Sequence, residues 1–103
     1  MKLEIGDGIY ELEYTVNAVC DLEELTGKNL GDVLATAGLS SVRALLWCGL
    51  IEHAKTLTMA KAGSLLQEYM KAHSMEELVE LLGKAIEDAG FIQAQGRPVK
   101  KAK

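Results

Sequence analysis

The sequence has only two cysteines, Cys20 and Cys48, 28 residues apart and in no CxxC pair. That spacing excludes the short paired motifs of structural zinc sites. A zinc site would need Cys20, Cys48, His53 and His73 all in one place. Thiols so placed in a cytosolic chain read as reduced core residues. No apolar run approaches the roughly 18–20 residues of a membrane span. The opening Met1-Lys2-Leu3-Glu4-Ile5-Gly6-Asp7 holds no apolar leader. The expectation is therefore a cytosolic chain with no membrane partner. Cations are scarce too: residues 1–95 hold 7 Lys and Arg against all 15 Asp and Glu, a net of −8. Phosphate contacts need clustered cations, so nucleic acid is not an expected partner. The other four cations, Arg97, Lys100, Lys101 and Lys103, lie in a tail that reads as a solvated, flexible basic end.

What is present is ordinary globular composition. Of 103 residues 49% are hydrophobic and 25% charged, which argues against a disordered chain and for one domain with a modest core. The pattern predicts a mainly α fold with a short N-terminal β-hairpin (α+β). About five helices pack on a central apolar helix, residues 41–54. The domain spans 1–92 and the tail 93–103.

Residues 1–14 read as the hairpin. Asp7-Gly8 is a two-residue turn signal, and a turn there pairs Gly6 with Ile9. Ile5 then opposes Tyr10, Leu3 opposes Leu12 and Met1 opposes Tyr14, an apolar face that must lie on helices. Lys2 opposite Glu13 and Glu4 opposite Glu11 form the wet face.

Glycines punctuate the remaining pattern. A helix over 16–26 has Thr15 or Asn17 as cap, Gly27 just past its end, and Val16, Val19, Cys20 and Leu22 on its apolar side. A short helix over 30–37 starts at Asn29 and stops at Gly38. The helix over 41–54 begins near Ser40 or Ser41. It contains eight consecutive residues without a polar side chain, Ala44 to Ile51, and such a helix is buried. Gly49 within it points to close approach of another backbone. A helix over 59–72 is capped by Thr58, with Met59, Ala62, Leu65, Leu66, Tyr69 and Met70 on one face. The helix over 75–89 opens on a Ser74–Glu77 capping box. It carries Leu78, Leu81, Leu82, Ala85, Ile86 and Ala89 on its apolar face, with Val79 as an exposed contact.

Catalysis needs convergent groups, and none assemble from the pattern. Cys48 and His53 are separated by about 140° around a helix, so they do not form a nucleophile pair. His53 reads as a polar residue at the end of the buried helix, where the dipole favours positive charge, and His73 as an exposed residue between helices. Glu23-Glu24 and Glu76-Glu77 are adjacent, so each pair diverges into solvent. No phosphate-cradling glycine loop occurs. A helix-turn-helix drawn over 41–71 would offer DNA only Lys61 and Lys71 as cations, with Glu68 between them. Trp47, inside the apolar run, reads as core rather than as a binding centre. The reading is no enzyme, no catalytic, metal or cofactor-binding residue and no cofactor, with the partner-binding residues unassigned.

Two segments resemble a known family. Leu22-Glu23-Glu24-Leu25-Thr26-Gly27-Lys28 resembles the "LEe-x-tGk" element of small phage tail assembly chaperones, and Ser41 to Leu50 resembles their "lraLLwaGL" helix. Tyr10 to Asn17 is similar to the family's strand leading into an Asn-containing helix start. Leu57-Thr58-Met59-Ala60 stands where members carry "lTleea", with Lys61 and Gly63 where acidic residues or alanine are common. The likeness covers about residues 9–90, and none of its motifs is catalytic. It implies a chaperone of a phage or prophage, working in the bacterial host cytoplasm and absent from the mature virion. The implied partners are the tape-measure protein, which it holds, and the tail-tube protein, which it helps recruit. Self-association is left open. In many relatives a translational frameshift near the end adds a second domain, and Val99-Lys100-Lys101 can be encoded by a slip-prone run. The competing reading is a stand-alone helical interaction or adaptor domain unrelated to tails.

Overall fold

The computed structural model describes residues 1–36 and 38–91. The expected tail, 93–103, and the codon run at Val99–Lys101 lie outside the described residues. Within them the chain forms a two-stranded antiparallel sheet, β1 (Lys2–Ile5) and β2 (Gly8–Glu11), followed by five helices. These are α1 (Val16–Thr26), α2 (Leu30–Ala35), α3 (Leu39–Leu50), α4 (Met59–Tyr69) and α5 (Met75–Asp88). The mainly α architecture with an N-terminal hairpin is the one the pattern implies, and α3 touches all four other helices.

The hairpin differs from expectation in register. Its turn is Gly6-Asp7, so Ile5 opposes Gly8, Leu3 opposes Tyr10, Glu4 opposes Ile9 and Lys2 opposes Glu11. Every partner is displaced by two residues from the expected pairing. Gly6 takes φ +58° and Asp7 stays at negative φ, so glycine sits at the first central position, where a tight hairpin turn needs positive φ. A slip of two keeps the same side inward: Leu3, Ile5 and Leu12 are buried. What it changes is the outer face. The expected Glu4–Glu11 repulsion is gone, and Lys2 Nζ instead binds Glu11 Oε1 at 3.0 Å while the N-terminal ammonium binds Glu11 Oε2 at 2.9 Å. These contacts hold the Glu11 carboxyl down at about 2.

Local signals set the helix ends. Thr15, Asn29 and Thr58 accept from Ala18, Asp32 and Lys61 N–H, and Ser74 and Glu77 close the reciprocal capping box. Gly27 is left-handed at φ 72° and returns its N–H to Glu23 O. Four helices are shorter than expected, α5 only by its last residue, since it ends at Asp88. The expected 30–37 ends at Ala35, and Ala37 lies outside the described residues. The expected 41–54 starts at Leu39, because Gly38 turns the chain directly into the helix at φ 136°, and it ends at Leu50. Residues 51–54 continue as tight turns, His53 N–H to Leu50 O and Ala54 N–H to Ile51 O. The expected 59–72 ends at Tyr69, where Lys71 and Ala72 bond three residues back instead of four.

Leu22, Leu46, Cys48, Leu78 and Ile86 have no exposed surface and mark the centre of the core. Six expected core positions are outside it. Val16 is 66% exposed, Met70 43% and Met1 39%, and Cys20, Leu81 and Ala89 also face solvent. On α1 the inward stripe is Ala18, Val19 and Leu22, a rotation that Val16 and Cys20 cannot share. Trp47 is half-buried rather than fully enclosed. Its Nε1–H donates to Leu57 O at 2.9 Å and pins the α3–α4 loop.

Candidate interaction surface

The residues that carry reactive groups do not converge. Cys48 is fully buried, and burial pushes its thiol up to about 12, with the Asp21 charge adding to the effect. Cys20 is exposed on α1. His53 lies beyond the end of α3 and meets Glu13, Nε2 to Oε1 at 2.7 Å, on the surface. His73 stacks on Tyr69 with ring centroids 4.6 Å apart, and its Nδ1 lies 3.5 Å from Glu77 Oε1. Among the described residues, no three His, Cys, Asp or Glu side chains come together as a metal site would require. Among those residues no helix is long and apolar enough to cross a membrane.

The paired acids play structural parts that adjacency alone conceals. Glu24 faces solvent, but Glu23 is half-buried and its Oε2 accepts from Leu30 N–H at 3.0 Å, capping the start of α2. Thr26 donates to Leu22 O at 2.8 Å and accepts from Lys28 N–H at 3.2 Å. The Leu22–Lys28 segment is thus the α1–α2 junction, with its polar side chains satisfying backbone groups that the two helix ends leave free. Glu77 is likewise committed to the α5 cap. Of the would-be DNA contacts, Lys71 pairs with Glu68 at 3.3 Å.

An apolar groove of about 370 Å³ lies between the first half of α3 and α4. It arises from a stripe on α4: Gly63, Leu66, Gln67 and Met70 fall at i, i+3, i+4 and i+7, one face of a helix. Leu39, Ser40 and Arg43 come from the first turns of α3. Leu66 is buried and Gly63 half-buried, so they form the floor. Leu39, 56% exposed, and Met70, 43% exposed, form apolar rims. Gly63 keeps that floor low. A Cβ there would stand 3.2 Å from Arg43 Cδ, and a glycine inside a helix costs about 1 kcal/mol relative to alanine. The Arg43 side chain lies over the glycine instead.

The start of α3 adds positive character to this groove. Gly38 offers no side-chain cap, and the first turn of α3 holds no acidic residue. Free N–H groups at a helix start carry partial positive charge. No carboxylate lines the groove, and among the described residues Arg43 makes no ion pair.

None of these groove residues is singled out by sequence reasoning. Met70 belongs to the expected core face of α4, Leu39 precedes the expected start of α3, and Gly63 stands out only as a departure from the family pattern. The available signal is the glycine at i of a Gly63–Leu66–Met70 stripe: a residue without a side chain on an apolar face marks a place where something else comes close.

No protein-family model, curated protein or solved structure matches the chain.

Proposed function

We propose that this chain is a non-enzymatic tail assembly chaperone of a bacteriophage or prophage, which holds the tape-measure protein and helps recruit tail-tube subunits in the host cytoplasm. The observation that supports the reading is the exposed apolar groove on α3, the helix whose Ser41–Leu50 segment bears the family resemblance. A long helical client exposes apolar stripes before assembly. A small helical domain with a spare apolar groove can cover one such stripe and keep it from self-association. The buried side of the same helix joins every other helix to the core, so the holding surface rests on the most constrained element of the fold. The resemblance leaves the two assignments distinct: α3 as scaffold and its exposed edge as surface.

Co-expression tests the reading. The long tape-measure reading frame expected downstream of this gene is expressed alone and with the chain. The expected result is soluble tape-measure that co-purifies with the chain, against aggregation without it. Aggregation in both cases, or a gene with no tail-tube or tape-measure neighbour, leaves the groove to the competing role of a helical adaptor.

A further inference from the structure

We propose that the α3–α4 groove takes an amphipathic helix of a partner protein, apolar on the face it seats and acidic along the edge that meets Arg43. The inference rests on the holding role proposed above and names the chemistry a client segment must present.

Shape fixes the apolar half. Leu39 and Met70 are exposed on the two rims and Leu66 lies at the floor. A volume of about 370 Å³ holds a few aliphatic side chains, which is what a helix presents at i, i+4 and i+7 when it lies in a groove. Gly63 matters because an alanine methyl there would raise the floor against Arg43 Cδ, 3.2 Å away. The groove therefore depends on a residue that the stability of α4 alone would not favour.

Charge fixes the acidic half. Arg43 is exposed, lacks a carboxylate partner among the described residues, and lies close to the uncapped start of α3. Residues 1–95 as a whole are net −8. An acidic helix is repelled by most of this acidic body and attracted at Arg43, where the apolar lining of the groove adds to the attraction. A basic helix would be drawn across the acidic body with no preference for the groove. Among the described residues Lys28 and Lys61 are exposed and unpaired as well, but Arg43 is the cation that lines the apolar groove, so there one helix meets an apolar floor and a positive charge together.

Two fluorescent helical peptides test this against the full chain. Both carry leucines at i, i+4 and i+7; one is flanked by glutamates and the other by lysines. The glutamate peptide is expected to bind about threefold or more tightly at low salt, the scale of an exposed ion pair. Backbone amide shifts should map to Gly63, Leu66 and Met70. Arg43→Glu should reverse the preference, and Gly63→Leu should abolish binding. If Gly63→Leu fails to fold by circular dichroism, Gly63→Ala should still weaken binding while α4 melts no earlier. Equal binding, preference for the lysine peptide, no binding, or shifts that map elsewhere would overturn the proposal. So would a concentration-dependent dimer that buries the groove against a second copy. If the glutamate peptide binds here and the tape-measure protein does not, the functional reading fails and this one stands. If tape-measure protein co-purifies equally with Gly63→Ala and Arg43→Glu, the reverse holds.

Discussion

The backbone N–H of Glu13 donates to the carbonyl of Gly49 at 2.8 Å, which binds the strand-to-helix connection directly to the last turn of the central helix. One turn earlier, Tyr14 Oη donates to Leu45 O at 2.5 Å in a buried setting. The hairpin and the helical body are therefore joined backbone to backbone. The join requires that residue 49 carry no side chain: a Cβ would overlap Leu12 Cδ1 and stand 2.9 Å from Tyr14 Cζ.

Gly49→Ala should destabilise the protein by about 1–3 kcal/mol, the usual cost of overpacking a core, because the overlap outweighs the better helix propensity of alanine. Urea denaturation with an unchanged slope measures it. Gly63→Ala is the control. It carries the same propensity gain, its neighbour is the exposed Arg43 side chain, and it should be neutral or stabilising. Equal effects at the two positions would refute the close-approach account of Gly49.

Tyr14 and Cys48 predict a loss of stability on the alkaline side. Burial raises the Tyr14 phenol well above its ordinary value of 10, with Cys48 adding to it, and raises the Cys48 thiol from 9 to about 12. In the unfolded chain both groups lose their protons at the ordinary values, while the folded protein keeps them. The stabilisation is thus complete below pH 9 and falls as pH rises from about 9 to 12. Chemical denaturation at stepped pH should show this decline. Tyr14→Phe with Cys48→Ala should flatten it relative to the double variant's own neutral-pH stability. At neutral pH, Tyr14→Phe alone should cost about 1 kcal/mol for the lost hydrogen bond.

How much of this was legible depends on the range of the signal. Ser74 and Glu77 are three residues apart and satisfy each other's backbone groups, so the α5 start was readable from the sequence and is found as read. Gly49 was readable because a glycine inside an eight-residue apolar run has few other uses. The hairpin register was not. Displacing the strands by two residues keeps Leu3, Ile5 and Leu12 inward, so the apolar pattern is silent between the alternatives. The choice rests on Gly6 as the positive-φ turn residue and on Lys2 meeting Glu11. The α3–α4 groove is not legible in the sequence for a related reason. Periodicity marks Met70 as apolar-facing on α4, but whether that face meets the core or open space is decided by a neighbouring helix.

Glu11 predicts the acidic limb. The N-terminal ammonium and Lys2 hydrogen-bond its carboxylate and lower it from 4.5 to about 2. A lowered value means that the stabilisation is present above pH 4.5 and fades as pH falls from there to about 2. The side-chain carboxyl carbon followed by NMR should titrate near 2 at low salt. Because the pair is on the surface, added salt should move the midpoint back toward 4.5. A midpoint near 4.5 at low salt would return the hairpin to the register in which Glu4 opposes Glu11.

Trp47 joins the central helix to the loop that follows it. The indole is half-buried and its Nε1–H donates to Leu57 O at 2.9 Å, while Leu57 N–H donates to Ala54 O at 2.9 Å. The loop is thus held by its own turn and by one indole. Trp47→Phe keeps most of the apolar contact and deletes only the donor. It should cost about 1 kcal/mol in global stability, and its larger effect should be local: amide exchange over 54–58 accelerates while the centre of α3 keeps its protection. Trp47→Ala removes the packing as well. It should cost about 3 kcal/mol, the low end for deleting a large aromatic, because part of the ring already faces water. Uniform acceleration of exchange across α3 in Trp47→Phe would show that the indole supports the core itself rather than the loop. A cost near 5 kcal/mol for Trp47→Ala would carry the same meaning.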